Sequence, residues 1–215
     1  MATKVLIVDD HPAVREGLAV RISSQADLEV CGQAADTAEA MKLIRAGRPD
    51  VAVVDIQLRT GNGLDLVQRI KAFDETIGIL IWSMYPDGLY AERALRAGAL
   101  GYINKQNVTE DIVDAIRSIR DGKVYLCGES AQKLLANVVG SGKRLKPSGV
   151  ESLSDCQLEV FRLIAQGLST AEIAEHLHRS SHTVEAHRQA IKRKLNLKSA
   201  SELNRVAALW AMDNR

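Results

Sequence analysis

Short apolar runs alternate with stretches of helical period over the front half of this chain. The runs read KVLIV, LEVCGQA, VAVVD, IGILIWS and GYIN, and a segment of helical spacing follows each of them. Strands that are separated by helices pair in parallel, and the helices cover both faces of the sheet. The pattern predicts an α/β doubly wound, five-stranded parallel sheet for the front half.

The segments between the runs carry the start and stop signals of helices. Asp36 can cap the second helix, and Gly47, Gly98 and Gly122 stand where helices commonly end on a left-handed residue. These signals agree with five strand–helix units. The predicted helices are Pro12 to Ser24, Thr37 to Ala46, Gly63 to Ala72, Pro86 to Ala97 and Thr109 to Asp121.

The rear half of the chain has a different pattern. After a predicted short helix at 130–139, the stretch GSGKRLKPSGVES carries glycines and a proline that break regular structure. We predict domains at residues 1–122 and 151–215, joined by a linker at 123–150. Only HRS separates the middle two of the four rear helices, which is the spacing of a helix-turn-helix. These all-α predictions cover Asp155 to Gln166, Thr170 to Leu177, Ser181 to Leu195 and Ser201 to Met212.

Charge is distributed unevenly between the two halves. From Met1 to Gly122 there are 14 Lys and Arg and 18 Asp and Glu, a net charge of −4. From Lys123 to Arg215 there are 14 and 9, a net charge of +5. A basic domain is the better partner for a polyanion, and a helix-turn-helix commonly binds double-stranded DNA. The rear half is therefore the predicted nucleic-acid contact.

Two features indicate where the protein resides. No apolar run approaches the roughly 18 residues that span a bilayer, and the start MATKVLIVDD lacks the layout of a signal peptide. Cys31, Cys127 and Cys156 lie far apart without metal-ligand spacing, which fits reduced thiols better than disulfides or a zinc site. We expect a cytoplasmic protein that has no membrane partner.

Polar side chains stand where the predicted strands end. Asp9 and Asp10 follow the first strand, Asp55 ends the third, Ser83 ends the fourth, and Lys105 follows the fifth. Strands one and three are neighbours in the doubly wound order, so the three carboxylates would converge. Two bare charges about 4 Å apart repel by roughly 4 kcal/mol at an effective dielectric of 20, which a cation would relieve. Mg²⁺ prefers oxygen ligands, and a carboxylate beside a metal and a lysine can accept a phosphoryl group.

Other interpretations fit parts of this pattern. Two acids at a strand end can be no more than a polar loop, although four matching strand ends argue against coincidence. A Mg²⁺-dependent phosphatase also forms an aspartyl phosphate, but it uses a second acid two positions later, where Gln57 stands. The rear helices could instead be a module that docks on proteins. We expect a phosphoryl acceptor rather than a turnover enzyme.

Over nearly its whole length the sequence resembles response regulators of the NarL/FixJ type. The resemblance is carried by KVLIVDDHPAVREGL, VVDIQLRTGNGLDL, IWSMYPD, ALRAGALGYINK and the rear segment. It implies a flavodoxin-like receiver in which Asp55 takes a phosphoryl group from a sensor histidine kinase. Asp9 and Asp10, with Asp55 and the backbone carbonyl of Gln57, would hold Mg²⁺. Lys105 would pair with the phosphoryl group.

The same resemblance assigns a switch and shows one departure. Ser83 and Tyr102 match the positions that relay phosphorylation, the first by movement of its hydroxyl and the second by a change of aromatic rotamer. Arg59 stands where many receivers carry proline, just after the phosphorylation loop. This departure can alter the stiffness of the loop or access to it, and it leaves the acceptor and metal positions intact.

The segment LSDCQLEVFRLIAQGLSTAEIAEHLHRSSHTVEAHRQAIKRKLN resembles the LuxR-type DNA-binding domain of that family. Its apolar spacing predicts an inward set, Ile173, Ala174, Leu177, Val184 and Ile191. The outer face carries His182, Glu185, Arg188 and Gln189. A recognition helix presents a polar face of this kind to the major groove. By resemblance the base-facing positions are Glu185, Ala186 and Gln189, and the backbone contacts are Thr183, Arg188, Lys192 and Lys194.

Four residues depart from the usual pattern of this domain. Cys156 and Gln157 replace an Arg and a Glu, so the usual ion pair of the first helix is missing. Arg179 stands at a turn position that is normally apolar, and Ala190 replaces a frequent asparagine. These changes affect the expected target sequence and the tightness of binding more than the fold.

Histidines and an apolar stripe complete the rear half. No cysteine accompanies the histidines and several of them point to different helix faces, so we expect no metal site at His176, His178, His182 or His187. The stripe on the last helix can pack within the domain or form a dimer contact, and periodicity does not separate the two. The family favours a homodimer in the active state, which would match two-fold DNA sites. The stripe consists of Leu203, Val206, Ala207 and Trp210.

Overall fold

The computed structural model describes residues 2–85, 87–106, 111–126, 131 and 149–213. The chain divides into two compact units, Met1–Gly140 and Ser141–Arg215, and each is described by itself. The predicted short helix at 130–139 lies outside the described residues apart from position 131, as do Pro86, Thr109 and Cys127. No helix among the described residues is long and apolar enough to cross a membrane.

A parallel sheet forms the centre of the front unit. Its strand order is β2-β1-β3-β4-β5-β6, and every neighbouring pair is parallel. The order reverses between β1 and β3, which is where open α/β sheets bind ligands. The strands are β1 (Thr3–Val8), β2 (Leu28–Ala34), β3 (Val51–Val54), β4 (Gly78–Ser83), β5 (Gly101–Asn104) and β6 (Tyr125–Leu126).

The described part of the sheet has six strands, one more than predicted. The sixth strand is only Tyr125–Leu126, which is too short to show an alternating or apolar pattern in the sequence. It pairs with β5 from Gly101 onward, and the N–H of Tyr125 donates to the carbonyl of Leu100 at 2.9 Å. Gly101 permits this approach, since a Cβ there would lie 2.8 Å from the carbonyl oxygen of Tyr125. The fold class is as predicted, with this strand added.

Five helices follow the first five strands. Asp36 caps the second of them as predicted, because its carboxylate accepts two backbone N–H hydrogen bonds from the first turn. All four residues of β3 are buried, as expected for a strand that helices cover on both faces. The helices are α1 (Pro12–Ser23), α2 (Thr37–Gly47), α3 (Gly63–Phe73), α4 (Asp87–Ala97) and α5 (Asp111–Arg120).

Two of the three predicted left-handed glycines are confirmed. Gly98 has φ 109° and Gly122 has φ 72°. The prediction for Gly47 was wrong, because α2 continues through that residue and Arg48 takes the left-handed conformation at φ 42°. The N–H of Arg48 still donates to Ile44 at 3.0 Å, so one more residue belongs to the helix than the sequence signal indicated.

The rear unit is helical. It begins with a 3₁₀ turn at Gly149–Ser152, followed by α6 (Asp155–Ala165), α7 (Thr170–His176), α8 (Ser181–Lys194) and α9 (Ala200–Asp213). Ser154 and Gln157 form a capping box on α6, since each side chain bonds the other residue's backbone N–H. Gln157 therefore has a defined structural role although it replaces the usual glutamate. The core includes the fully buried residues Leu158, Phe161, Ile173, Val184, Ile191, Leu203 and Ala207.

Candidate functional site

The carboxyl ends of the central strands meet at one edge of the sheet. Val8 pairs with Val54, and the N–H of Asp55 donates to the carbonyl of Val8 at 2.8 Å. At the next pair of strands, the N–H of Lys105 donates to the carbonyl of Ser83 at 2.8 Å. This register carries the acids that follow β1 and β3, together with Lys105, into one pocket.

Lys105 joins the two central carboxylates. Its Nζ lies 2.5 Å from Asp9 Oδ2 and 2.6 Å from Asp55 Oδ2. The three side chains are 7%, 2% and 4% exposed, so this charge network is buried. The same ammonium lies 5.3 Å from the centroid of the Trp82 ring, within the range of a cation–π contact. The structure thus brings together the predicted acceptor, a predicted metal ligand and the predicted phosphoryl-pairing lysine.

Burial and ion pairing act against each other in this pocket. It raises the pKa of the Asp55 carboxyl, although the Lys105 ammonium acts in the opposite direction. Burial also disfavours the charged form of Lys105, but Asp55 and Asp9 outweigh it and raise the pKa of that ammonium. Two buried carboxylates therefore share one cation, and the pocket retains an excess of negative charge.

A third carboxylate and an imidazole stand beside this pair. Asp10 is more exposed than Asp9, and its Oδ1 lies 2.7 Å from Nδ1 of His11. Asp9, Asp10, His11 and Asp55 each offer a ligand atom within 4.8 Å of the others, the one such group found among the described residues. The sequence prediction missed His11, although its place directly after the two acids was a usable signal.

The donor set fits Mg²⁺. Three carboxylates at one point supply the hard oxygen ligands that this ion prefers. The backbone carbonyl of Gln57, the fourth predicted ligand, stays a prediction. The N–H of Gln57 donates to Asp55 Oδ1 at 3.4 Å, and Gln57 pairs with Asn62 across the loop.

Ser83 lies where the sequence placed it. The residue is 1% exposed, and its hydroxyl oxygen has no hydrogen-bond partner of normal geometry among the described residues. It adjoins the Asp55 carboxylate, whose pKa it lowers more weakly than Lys105 does. A buried hydroxyl of this kind is available to an oxygen that enters the pocket.

Tyr102 lies inside the protein next to the loop that follows β4. Its hydroxyl donates to the carbonyl of Tyr85 at 2.7 Å, and Asn104 Nδ2 donates to the same carbonyl at 3.0 Å. The hydroxyl of Tyr85 in turn lies 3.4 Å from Gln57 Oε1. The predicted switch tyrosine is thereby linked, through the loop backbone, to the residue two positions beyond Asp55.

Gly63 is a site residue that the sequence prediction missed. It begins α3, and its N–H donates to the carbonyl of Ile56 at 2.8 Å. A Cβ at this position would lie 2.0 Å from the carbonyl oxygen of Asp55 and 2.8 Å from Cα of Ile56. Only glycine lets the helix start this close to the acceptor strand. A glycine after a predicted strand end was the signal, but its contact is visible only in three dimensions.

Arg59, the departure in the loop, is tied to a neighbouring loop. Its guanidinium lies 3.3 Å from Asp36 Oδ2, and its N–H donates to the carbonyl of Ala35 at 3.3 Å. Asp36 accepts backbone hydrogen bonds at the start of α2, which together with Arg59 lower the pKa of its carboxyl. Arg59 is exposed, so the ion pair contributes little by itself, but it connects the acceptor loop to the cap of α2.

The rear unit presents the predicted helix-turn-helix. Four members of the inward set are buried and Leu177 is half-buried. On the outer face, Glu185, Ala186 and Gln189 are exposed, as are His182 and Lys194, whereas Thr183 and Lys192 are half-buried. Ser180 caps the recognition helix α8 by accepting from the N–H of Thr183 at 3.1 Å. The three predicted base-facing positions thus share one accessible face.

Several of the predicted DNA contacts already make side-chain bonds within the domain. Arg188 is only 11% exposed, and its guanidinium donates to Asn204 Oδ1 at 3.3 Å. Lys194 Nζ donates to the carbonyl of Ser152 at 2.8 Å. Gln189 donates to Glu185 Oε1 at 2.7 Å, so these two side chains are ordered against each other.

Most residues of the apolar stripe on α9 pack within the domain. Leu203 and Ala207 are fully buried, and the Trp210 ring meets Phe161 edge-on at 5.6 Å. Val206 is half-buried. The rear histidines belong to no metal-ligand group found among the described residues, and the absence of a metal there stays a prediction. Arg179 is exposed at the turn, where a polar residue costs nothing by burial.

Comparison with known families now identifies the class. Residues 5–117 match the response regulator receiver domain, and residues 151–207 match the bacterial regulatory proteins of the luxR family. The chain belongs to the LuxR-type response regulators. It is thus a member of a family of two-component transcription regulators, built from a receiver and a DNA-binding domain.

A curated relative supports this assignment, and two solved structures share the fold. The oxygen regulatory protein NreC of Staphylococcus carnosus is 38% identical over 205 residues, covering 93% of this chain and 94% of the relative. RcsB from Salmonella enterica serovar Typhimurium, bound to promoter rprA with phosphomimetic BeF3-, shares the fold at a TM-score of 0.65 and 24% identity, over 97% of this response regulator and 99% of that chain. A structure of two RcsB dimers bound to two parallel DNAs has a TM-score of 0.58 at 25% identity, over 95% and 97% of the two chains.

Proposed function

We propose that this response regulator accepts a phosphoryl group on Asp55 and that the modified receiver controls sequence-specific DNA binding, and thereby transcription. The observation that carries the proposal is the buried pocket in which Lys105 Nζ lies 2.5 and 2.6 Å from the carboxylates of Asp9 and Asp55. The helix-turn-helix with its exposed polar face supplies the output. The proposed domains are residues 1–122 and 151–215, with a linker at 123–150.

Asp55 is the nucleophile of the proposed reaction. One of its carboxylate oxygens attacks the phosphorus of a phosphohistidine on a sensor histidine kinase, and the N–P bond breaks as the O–P bond forms. The leaving nitrogen keeps the electron pair. Lys105 neutralises charge on the phosphoryl oxygens, because its ammonium is already held against Asp55. The buried Ser83 hydroxyl donates to one of those oxygens.

Asp9, Asp10 and Asp55, with the backbone carbonyl of Gln57, are the proposed Mg²⁺ ligands. The ion, when bound, offsets the charge that develops on the transferred group. These residues would hold a single aspartyl phosphate, and Gln57 stands where a phosphatase of this kind would carry its second acid. The protein is therefore proposed as an acceptor that does not turn over substrate.

Ser83 and Tyr102 are the proposed switch. Movement of the Ser83 hydroxyl toward the phosphoryl group would shift the loop after β4, whose Tyr85 carbonyl accepts from Tyr102 at 2.7 Å. A two-state switch requires that the phosphoryl group favour one arrangement over the other. Addition of about −1.5 to −2 charges beside Asp55 supplies that difference.

The proposed DNA contacts lie on α8. Direct base contacts are assigned to the exposed face, and phosphate contacts to the basic and hydroxyl side chains around it. Because Arg188 and Lys194 are bonded within the domain, DNA binding would have to exchange those bonds for phosphate contacts. We propose that the active form is a cytoplasmic homodimer on two-fold DNA sites, with Thr183, Glu185, Ala186, Arg188, Gln189, Lys192 and Lys194 at the interface.

Selection of bound fragments from genomic DNA, with and without a small phosphodonor such as acetyl phosphate, tests both domains at once. The donor should increase binding of a defined set of fragments by the wild type and leave Asp55→Asn unchanged. Asp65→Asn, an exposed acid on α3, is the matched control and should respond as the wild type does. Equal binding by Asp55→Asn and donor-treated wild type at fixed salt would refute control by Asp55.

The salt dependence of duplex binding separates DNA recognition from protein docking. Each phosphate contact contributes a slope of about −0.9 in a plot of log affinity against log salt. Lys192→Ala should reduce the magnitude of the slope by about 1, whereas Lys42→Ala on the receiver should leave it unchanged. A flat salt response of the wild type would favour a docking module instead.

A further inference from the structure

We propose that Gln189 reads an adenine in the major groove and that Glu185 is the residue that positions its amide for that contact. The inference rests on the proposed function, because it takes α8 as the recognition helix of a DNA-binding domain. It goes beyond that function by naming one base of the target site and by giving these two neighbouring side chains different roles.

A hydrogen bond between the two side chains fixes the direction in which the amide of Gln189 faces. Gln189 Nε2 donates to Glu185 Oε1 at 2.7 Å, and the two residues lie four positions apart on α8. An ionised carboxylate only accepts hydrogen bonds, so the amide turns its NH₂ group toward Glu185 and its oxygen away. The bond uses one N–H of that group. A second N–H and the carbonyl oxygen remain for a partner outside the helix.

One remaining donor and one remaining acceptor match a single base in the major groove. Adenine presents its N7 as an acceptor and its N6 amino group as a donor, and an amide side chain can pair with both. Guanine presents two acceptors, so the amide oxygen would face an acceptor there. Cytosine offers only a donor, and thymine offers an acceptor and a methyl group. Adenine is therefore the base that engages both remaining groups of Gln189.

The arginine next to Gln189 is held away from the bases. Arginine commonly reads guanine through two hydrogen bonds, but the Arg188 side chain is only 11% exposed. Its guanidinium donates to Asn204 Oδ1 at 3.3 Å, and its Nε lies 3.8 Å from Glu185 Oε2. The exposed face formed by Glu185, Ala186 and Gln189 thus carries no cation, and the charge of Glu185 repels the two acceptor atoms of guanine.

Glu185 acts through the orientation of its neighbour more than through stability. Its side chain is 49% exposed, and a side-chain pair four residues apart on a helix surface stabilises the helix only weakly. Without the carboxylate, the amide of Gln189 could rotate and turn its NH₂ group toward the acceptors of guanine. Loss of Glu185 should therefore lower the selectivity for adenine without weakening DNA binding.

Affinity ratios at single base pairs test the role of Gln189. Selection from a randomised duplex library with the full chain, treated with acetyl phosphate, gives the bound sequence, and each base pair is then replaced in turn. The wild type should prefer A·T to G·C by about 5- to 150-fold at the pair that Gln189 reads. Gln189→Ala should reduce that ratio to about 1 and change the ratios at other positions by less than about twofold.

Glu185→Ala separates a positioning role from a structural one. If Glu185 orients Gln189, the variant should bind the A·T duplex no more weakly than the wild type does and the G·C duplex more tightly. The ratio should then fall by about 2- to 10-fold, the value of one hydrogen bond. A structural role would weaken both duplexes alike and leave the ratio unchanged, and that result would overturn the role given to Glu185.

Modified bases show whether Gln189 contacts the adenine directly. Replacement by 7-deazaadenine removes the N7 acceptor, and replacement by purine removes the N6 amino group. Each change should weaken binding by the wild type about 2- to 10-fold. Binding by Gln189→Ala should not respond, since that variant has no hydrogen bond to lose. Equal weakening of both proteins would mean that DNA shape is read instead, and it would overturn the proposal.

Gln166→Ala is the matched control. Gln166 is an exposed glutamine at the C-terminal end of α6, outside the recognition helix, and its removal should leave every ratio unchanged. A preference for A·T that persists at every position in Gln189→Ala, or one that Gln166→Ala loses as fully, overturns the proposal. If the wild type binds no duplex in a salt-dependent manner, the proposed function fails. If it binds duplexes in that manner and no ratio depends on Gln189, only the present inference fails.

Discussion

The two domains hold their functional charges in opposite ways. In the receiver, Asp9, Asp55 and Lys105 are almost completely buried and bonded to one another. On the recognition helix, Glu185 is 49% exposed, and Gln189 beside it is exposed as well. Folding alone therefore fixes the geometry of the acidic pocket, whereas a partner must complete the geometry of the face that is proposed to contact DNA.

This difference determines what each site costs the protein. A buried charge without a partner costs several kcal/mol, so the buried acids destabilise the receiver unless a lysine or a metal compensates their charge. An exposed polar face costs little, since water satisfies it before a ligand does. In the receiver, the charged groups proposed for function therefore also affect the free energy of unfolding, whereas in the rear domain the exposed polar face affects it little. Four substitutions test this contrast, taken from the largest expected effect to the smallest.

Lys105→Ala should give the largest effect. It leaves Asp9 and Asp55 buried without their shared cation, and loss of one partner of a buried ion pair costs about 3 to 5 kcal/mol. Urea unfolding of the receiver in the presence of a chelator measures this loss, and Mg²⁺ should stabilise the variant more than the wild type. Lys42→Ala removes an exposed lysine of α2 and should change stability by less than about 0.5 kcal/mol. Equal losses in the two variants would abolish the contrast.

Gly63→Ala should come next. The new Cβ would clash with the carbonyl oxygen of Asp55, which lies 2.0 Å away, so the loop must shift. We expect a loss of about 1 to 3 kcal/mol in receiver stability and slower phosphorylation of Asp55. Gly17→Ala in α1, where nothing lies within 4 Å, should instead stabilise by about 0.5 to 1 kcal/mol. Thermal unfolding and a phosphodonor time course record both effects, and a silent Gly63→Ala would contradict the close approach.

Ser180→Ala carries the test to the rear domain. The side chain of Ser180 accepts from the N–H of Thr183 at 3.1 Å, and loss of such a cap costs about 1 kcal/mol. Unfolding of the rear domain, followed by circular dichroism, should show that loss together with weaker DNA binding. Ser181→Ala, at the next and exposed position, should leave both within error. If the two variants behave alike, the cap does not order the recognition helix.

Asp27→Asn should have the smallest effect, confined to acid pH. Hydrogen bonds from Arg117 lower the pKa of Asp27 from 3.8 to about 2. Between pH 3.8 and about 2 the unfolded chain therefore binds more protons than the folded receiver does. The stability that this ion pair gives the folded receiver is complete above pH 3.8 and is lost as the pH falls through about 2. Receiver stability should depend less steeply on pH in Asp27→Asn than in wild type over this range.

Arg117→Gln is the partner variant for that measurement. It removes the same hydrogen bonds and should flatten the pH dependence to the same extent. The double variant should be no flatter than either single one, because both changes remove one interaction. Additive flattening would show that Arg117 and Asp27 affect the pH dependence through separate interactions.

Much of the fold could be predicted because its signals are local or periodic. The β3 run VAVV is apolar at every position, and the structure buries all four residues. The position after it was predicted to carry an acid that meets other charged groups at the strand ends, and Asp55 is 4% exposed beside Lys105. The strand β6 escaped prediction because two residues carry no period, and its existence depends on the approach that Gly101 allows.

The rear domain shows the limit of periodicity more clearly. Helical spacing identified Leu203, Ala207 and Trp210 as an apolar stripe, but packing against Phe161 decided that most of it belongs to the core. Arg188 was placed on the outer face by the same spacing, yet its bond to Asn204 draws it against α9. A helical wheel gives the direction of a Cβ, and it does not give the course of a long side chain.

The sequence by itself determined the class, the strand–helix order and the chemistry at the strand ends, because these depend on residue types and spacing within single segments. The tertiary structure decided which atoms meet. Lys105 and Asp9 are 96 residues apart in sequence, and only the register of the sheet brings Nζ to 2.5 Å from Oδ2. Gly63 shows the same limit, since its approach to the carbonyl oxygen of Asp55 follows from packing and leaves no periodic trace in the chain.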